Sequence, residues 1–124
     1  MDRKEYAINL KNSGCNCCQA VLCAYADVVQ MTEEELKRIG AAFGGGMGCL
    51  EGTCGALVGA EMILGMKKYQ GKGMHKDAAE VFRKFEAMCK ATTCKDIKGR
   101  DTGVVLCSCN DCVGNAVEIL DGIV

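Results

Sequence analysis

Eleven of the 124 residues are cysteine, in four groups: Cys15, Cys17, Cys18 and Cys23; Cys49 and Cys54; Cys89 and Cys94; Cys107, Cys109 and Cys112. A cysteine acts either as a small buried hydrophobe or as a thiolate that binds metal and exchanges electrons. Core residues would be spread along the apolar stripes of helices. These thiols gather mostly at predicted helix starts and ends, which points to a site assembled from distant parts of the chain. No local motif supplies it. The ferredoxin run C-x2-C-x2-C is absent. The pairs Cys15-x2-Cys18 and Cys109-x2-Cys112 lie most of the chain apart, too far for a zinc ribbon. No βαβ pattern surrounds them as a thioredoxin-like motif requires.

The elements that must position these thiols read as helices. Asp2 caps a first helix over 2–12, and Asn16 caps a second over 17–29, with Val21, Ala24 and Val28 at helical spacing after Cys17. Thr32 with Glu35 forms a capping box for a helix running to about Phe43. Gly44, Gly45, Gly46 and Gly48 break that helix. The next covers 53–69. The amphipathic pattern over 76–91 turns Val81, Phe82, Phe85 and Met88 inward. Residues 93–97 suit a short turn, 99–103 a loop, and 104–107 a short strand that would have no partner. Asn110 or Ser108 caps a last helix with Val113, Val117 and Leu120 on its apolar side. The expectation is an all-α fold: one domain over 1–124, a compact bundle of about five helices with cysteines at helix termini and loops.

On this arrangement Cys54 sits in the first turn of its helix, Cys17 at the start of another, and Cys109 just before the last. Unpaired N–H groups and the positive end of the helix dipole favour a thiolate at such places. Gly55 and Gly59 permit close helix approach, and the triple glycine is expected to pass close to the cysteines and donate N–H groups to sulfur. It is no phosphate fingerprint, since no G-x-G-x-x-G or P-loop follows a strand. His75, the only histidine, reads as a solvated helix-start residue. Glu61 reads as a partly exposed carboxylate, too far along its helix from Cys54 to share a metal. Cys23 and Cys89 read as plain core residues.

Composition narrows the class. The charged start Met-Asp-Arg-Lys-Glu-Tyr carries no apolar signal run, and the longest apolar stretch, 56–66, is interrupted by Glu61. The expectation is a cytoplasmic protein in a reducing compartment, where such thiols serve metal or redox chemistry rather than structural disulfides. A net charge of −1 gives no general pull toward nucleic acid. Charge is uneven, however: residues 67–100 hold ten Lys/Arg against four Asp/Glu, and residues 101–124 hold four acids and no base. The plain reading is a solvated face; the sharper one is a docking patch for an acidic redox partner protein. Neither a nucleic acid nor a membrane is expected as partner. A short Ala- and Gly-rich helical chain is also compatible with a homodimer.

The order Asn16-Cys17-Cys18-Gln19-Ala20-Val21, Gly44-Gly45-Gly46-Met47-Gly48, Cys54-Gly55-Ala56-Leu57-Val58-Gly59, Cys94 and Cys109 resembles the C_GCAxxG_C_C family of proteins described as redox-active, over nearly the whole chain. The resemblance implies a small helical domain with four recurring cysteines, which fall here on Cys17, Cys54, Cys94 and Cys109. Cys109 is taken over Cys112 because Val113, Ala116 and Ile119 then fall in the family's final amphipathic helix. The likeness extends to a domain of split-Soret cytochromes, where an iron–sulfur centre is associated. Seven cysteines are additional: Cys15, Cys18, Cys23, Cys49, Cys89, Cys107 and Cys112. Of these, Cys18, Cys49 and Cys112 are placed to substitute for quartet members or to form a second site.

Three functions follow. The first is electron transfer or redox sensing through an iron–sulfur cluster, [2Fe–2S] rather than [4Fe–4S], on Cys17, Cys54, Cys94 and Cys109. The second is a thiol–disulfide oxidoreductase with Cys54 attacking and Cys17 or Cys94 resolving. The third is a structural zinc or soft-metal site.

Overall fold

The computed structural model describes residues 2–124 and is helical throughout, with no strand among the described residues. Six helices have eight residues or more: α1 (Arg3–Asn12), α2 (Cys17–Ala24), α4 (Glu33–Gly40), α5 (Gly55–Lys68), α6 (His75–Cys89) and α8 (Cys109–Asp121). Two short ones, α3 (Ala26–Val29) and α7 (Cys94–Lys98), complete the set. The all-α expectation holds, with more helices than the five anticipated.

The starts follow from side-chain caps. The carboxylate of Asp2 accepts from Glu5 N–H, and the Ser108 hydroxyl accepts from Asp111 N–H. Asn16/Gln19 and Thr32/Glu35 each form a reciprocal capping box. Asn16 also donates to the carbonyls of Gly40 and Ala41, fixing the start of α2 against the end of α4.

Helix α2 is the hub. Of its residues all but Gln19 are buried, and it packs against α1, α4, α5 and α8. Gly59 sets the approach of α5: a Cβ there would lie 3.1 Å from both the Cys18 carbonyl and Val21 Cβ. Instead of running on to Val29, α2 stops at Tyr25, whose buried ring lies under the Arg3 guanidinium at 4.6 Å and whose hydroxyl donates to Asp121 at 2.7 Å. Tertiary contacts there outweigh the helical periodicity.

Three further differences concern the site. Residues 93–97 form helix α7 rather than a turn. Residues 104–107 are loop rather than strand, pinned to α7 by Leu106 N–H donating to the Ile97 carbonyl at 2.9 Å. On α6, Val81 and Phe85 are buried and Phe82 half-buried, but Met88 is 38% exposed and Cys89 takes the inward place beside it.

Between α4 and α5 the chain makes a wide coil, Gly46–Leu50, entered through Gly45; Gly45, Gly46, Met47, Gly48 and Leu50 all have positive φ. Two of these are not glycine, so the coil holds backbone strain. No helix among the described residues is long and apolar enough to cross a membrane.

Candidate functional site

Four segments deliver their first residues to one place. Cys17, Cys94 and Cys109 are the first residues of α2, α7 and α8, and Cys54 is the cap of α5. All four line one cavity of about 220 Å³, together with Lys11, Asn16, Gly45, Gly55 and Lys98. Cys17, Cys54 and Cys94 are buried and Cys109 is half-buried. The sequence placed three thiols at helix N-termini; Cys94 makes a fourth.

Backbone bonds hold the array. Thr53 and Thr93 pair as an isolated antiparallel bridge, with Cys54 N–H donating to the Thr92 carbonyl at 2.8 Å and Cys94 N–H to the Gly52 carbonyl at 3.0 Å. Two cysteines forty residues apart are thereby fixed side by side. The glycine coil closes over them. A Cβ on Gly46 would stand 2.5 Å from Cys94 Cβ, and one on Gly55 2.8 Å from the Phe43 carbonyl. The close passage expected of the glycines is therefore present. The N–H groups that reach sulfur, however, come from Ala56 and Leu57 in the first turn of α5 rather than from the glycine run.

Among the four cavity thiols the electrostatics single out one. Cys54 is lowered from 9.0 to about 7: a hydrogen bond from Cys112 outweighs burial, and the Ala56 and Leu57 amides and Lys98 add to it. Burial pushes Cys17 up to about 12 and raises Cys94, and in both the Cys54 charge adds to the effect. A thiolate at Cys54 is thus accommodated, and ionising Cys17 or Cys94 beside it is opposed. Burial works against the Lys98 ammonium, but its hydrogen bond to Cys109 and the nearby thiols win, and it is held above its ordinary value. A four-thiolate state needs more positive charge than Lys98 and Lys11 supply. That is the condition in which a cysteine set suits a metal centre.

A second group of thiols adjoins the first. The sulfurs of Cys89, Cys107 and Cys112 all lie within 4.8 Å of one another, and all three residues are buried. Cys89 is in the core, as its apolar stripe suggested, and also belongs to this group. Among the described residues this is the group compact enough to surround a single ion; the quartet is spaced more widely. Spacing along the chain gave no signal for it beyond the position of Cys112 beside Cys109. Of the other cysteines, Cys18 is fully buried, and Cys23 is in the core as expected, 3.6 Å from the Glu33 carbonyl. Cys15 is half-buried, and Cys49 is exposed and 3.7 Å from the Gly46 carbonyl.

His75 is exposed at the start of α6 and takes no part in either group. Glu61 opens onto a separate, largely apolar pocket lined by Met47, Leu57, Met62 and Phe82. Its Oε1 is buried without a hydrogen-bond partner, and burial raises the carboxyl from 4.5 to about 7.

No curated protein and no solved structure matches the chain. A family model described as "Putative redox-active protein (C_GCAxxG_C_C)" matches residues 15–123, a span that includes all four cavity thiols. The chain belongs to the C_GCAxxG_C_C family.

Proposed function

We propose that this is an electron-transfer or redox-sensing protein whose cavity holds an iron–sulfur cluster through Cys17, Cys54, Cys94 and Cys109. The observation that carries this reading is the convergence of four thiols, each at a helix start, on one small cavity. Four cysteines are the usual protein ligand set of such clusters. The spacing of the sulfurs favours a polynuclear centre. Around a single tetrahedral zinc, at about 2.3 Å per bond, neighbouring sulfurs sit about 3.8 Å apart, whereas these four are not all within 4.8 Å. The smaller [2Fe–2S] form rests on the family likeness.

When bound, the cluster supplies one-electron chemistry. The chain's own residues do the rest. The first-turn amides of α5 support Cys54, Lys98 offsets negative charge beside Cys109, and Gly46 packs against Cys94. The partner we assign is an acidic redox protein, drawn by Lys11 and Lys98 at the cavity.

Anaerobic purification or reconstitution with iron and sulfide tests this. A coloured protein with stoichiometric iron and sulfide, bleached by dithionite, is expected. Cys17→Ser and Cys94→Ser should each lose that colour, and Cys49→Ser should keep it. Colour that survives replacement of all four cavity cysteines sinks the assignment.

One observation favours a second reading. Cys54, lowered to about 7, sits beside Cys17, as attacking and resolving thiols would. Oxidation would form a Cys17–Cys54 disulfide, with two protons released and two electrons passed to a disulfide or quinone acceptor. In that case the protein stays colourless on reconstitution and loses two thiols per chain on oxidation.

A further inference from the structure

The trio beside the cavity takes no part in the proposal above, and its geometry is tighter. Cys89 ends α6, Cys107 lies in the loop before α8, and Cys112 is in the first turn of α8. Three segments thus bring three sulfurs within 4.8 Å of one another. Cys89 and Cys112 have no exposure and Cys107 is 8% exposed. One turn beyond Cys112, the Asn115 side chain aims its amide Nδ2 at two of them, 3.3 Å from Cys89 Sγ and 3.8 Å from Cys107 Sγ. Cysteines that merely fill a core have apolar neighbours. Here a half-buried amide donor faces the sulfurs, and hydrogen-bond donors of this kind orient and tune the ligands of a metal.

We propose that Cys89, Cys107 and Cys112 form a second metal site, which takes one soft d10 cation, copper(I), in three-thiolate coordination. Softness follows from the donors: thiolates select copper(I), zinc and iron–sulfur centres over hard cations. Among these the count of three decides. Iron–sulfur clusters are held by four cysteines and structural zinc by four ligands. No histidine or carboxylate joins the trio, and burial leaves little access for water as a fourth ligand. The next sulfur is Cys54, which touches the trio through Cys112 but lines the cavity. Copper(I) has no need of a fourth donor. At metal–sulfur distances of about 2.3 Å a trigonal ion sets its sulfurs about 4 Å apart, so the observed group needs to contract by less than about 1 Å. Loading displaces the thiol protons into solvent and transfers no electrons.

The site stands on residues other than the cavity quartet, so it can be tested apart from the cluster. The reduced full-length chain is titrated anaerobically with copper(I) in competition with a chromogenic copper(I) chelator. The first equivalent should load the trio, and X-ray absorption at that loading should show three sulfur ligands and no nitrogen. The double variant Cys17→Ser/Cys94→Ser should bind it unchanged. Cys107→Ser, a loop substitution whose folding is checked by its helical circular dichroism, should weaken binding about 100-fold or more, and Asn115→Ala about 10-fold to 100-fold. Cys107→Ser should still take up iron and sulfide at the cavity if the cluster reading holds. The proposal is overturned if Cys107→Ser and the unaltered chain bind copper(I) equally, if binding vanishes with Cys17→Ser/Cys94→Ser, or if X-ray absorption shows four sulfurs with Cys54 among them.

Discussion

At Gly46 a single hydrogen in place of a methyl group decides whether the cavity forms. Its φ is +58° and a Cβ would collide with Cys94 at 2.5 Å. Gly45, one residue earlier, has φ +60° and nothing within 4 Å. Gly45→Ala should cost only the left-handed strain, about 1 kcal/mol, and keep metal binding. Gly46→Ala should displace Cys94 and, on the cluster reading proposed above, lose the iron from the cavity while the helical circular dichroism stays. Iron content against a urea midpoint separates the two effects. Lys98 is the other decisive residue. On the cluster reading proposed above, removing its charge with Lys98→Gln should make the cluster harder to reduce, lowering its one-electron potential on the order of 50 mV, equivalent to about 1 kcal/mol. Protein-film voltammetry reads that shift. At this scale the sequence was informative where a thiol falls on a helix start, as at Cys17, Cys54 and Cys109, because capping signals can be read locally. It was silent on Lys98 and on the Cys89–Cys107–Cys112 group. Their contacts depend on how α6, α7 and α8 pack together, and nothing in the local order of residues encodes that.

Among the elements, α2 depends most on its first residue. Asn16 Oδ1 accepts from Gln19 N–H at 2.8 Å, the Asn16 N–H donates to Gln19 Oε1 at 2.9 Å in return, and the Asn16 amide donates to two carbonyls at the end of α4. Asn16→Ala should cost about 2 kcal/mol, the upper end for a lost cap, because interhelical bonds go with it. Asn16→Asp should recover the cap but not the two donated bonds. Denaturant midpoints of the two variants test that division. Caps at Asp2, Asn16, Thr32 and Ser108 are one- to three-residue signals and were legible. The break at Tyr25 and the inward turn of Cys89 in place of Met88 were not, since each is set by a partner on another helix. The same holds for α7. Five residues are too few to show a helical period, and its start is fixed by the Thr53–Thr93 bridge rather than by its own sequence.

For the whole molecule, the unpartnered Glu61 gives stability a pH dependence. Its folded-state value is raised from 4.5 to about 7 by burial. Below pH 4.5 the group is protonated folded or unfolded and has no effect. As pH rises from there the unfolded chain ionises first, so stability falls until about pH 7 and then levels. Glu61→Gln should match the unaltered chain near pH 4 and exceed it at pH 8, as read from urea midpoints across that range.

Cys112 links the two sulfur groups. Its burial and neighbours keep it a thiol, and its single S–H faces the sulfurs of Cys54 and Cys89 and, at 4.0 Å, the Cys107 carbonyl. One hydrogen cannot serve every acceptor at once. Whatever strips that hydrogen away, or turns it toward α6, withdraws support from the anion at the head of α5. By reciprocity, an anion formed at Cys54 makes the same hydrogen harder to take. The two sulfur groups therefore meet at one hydrogen, and charge gained on either side of it opposes charge on the other.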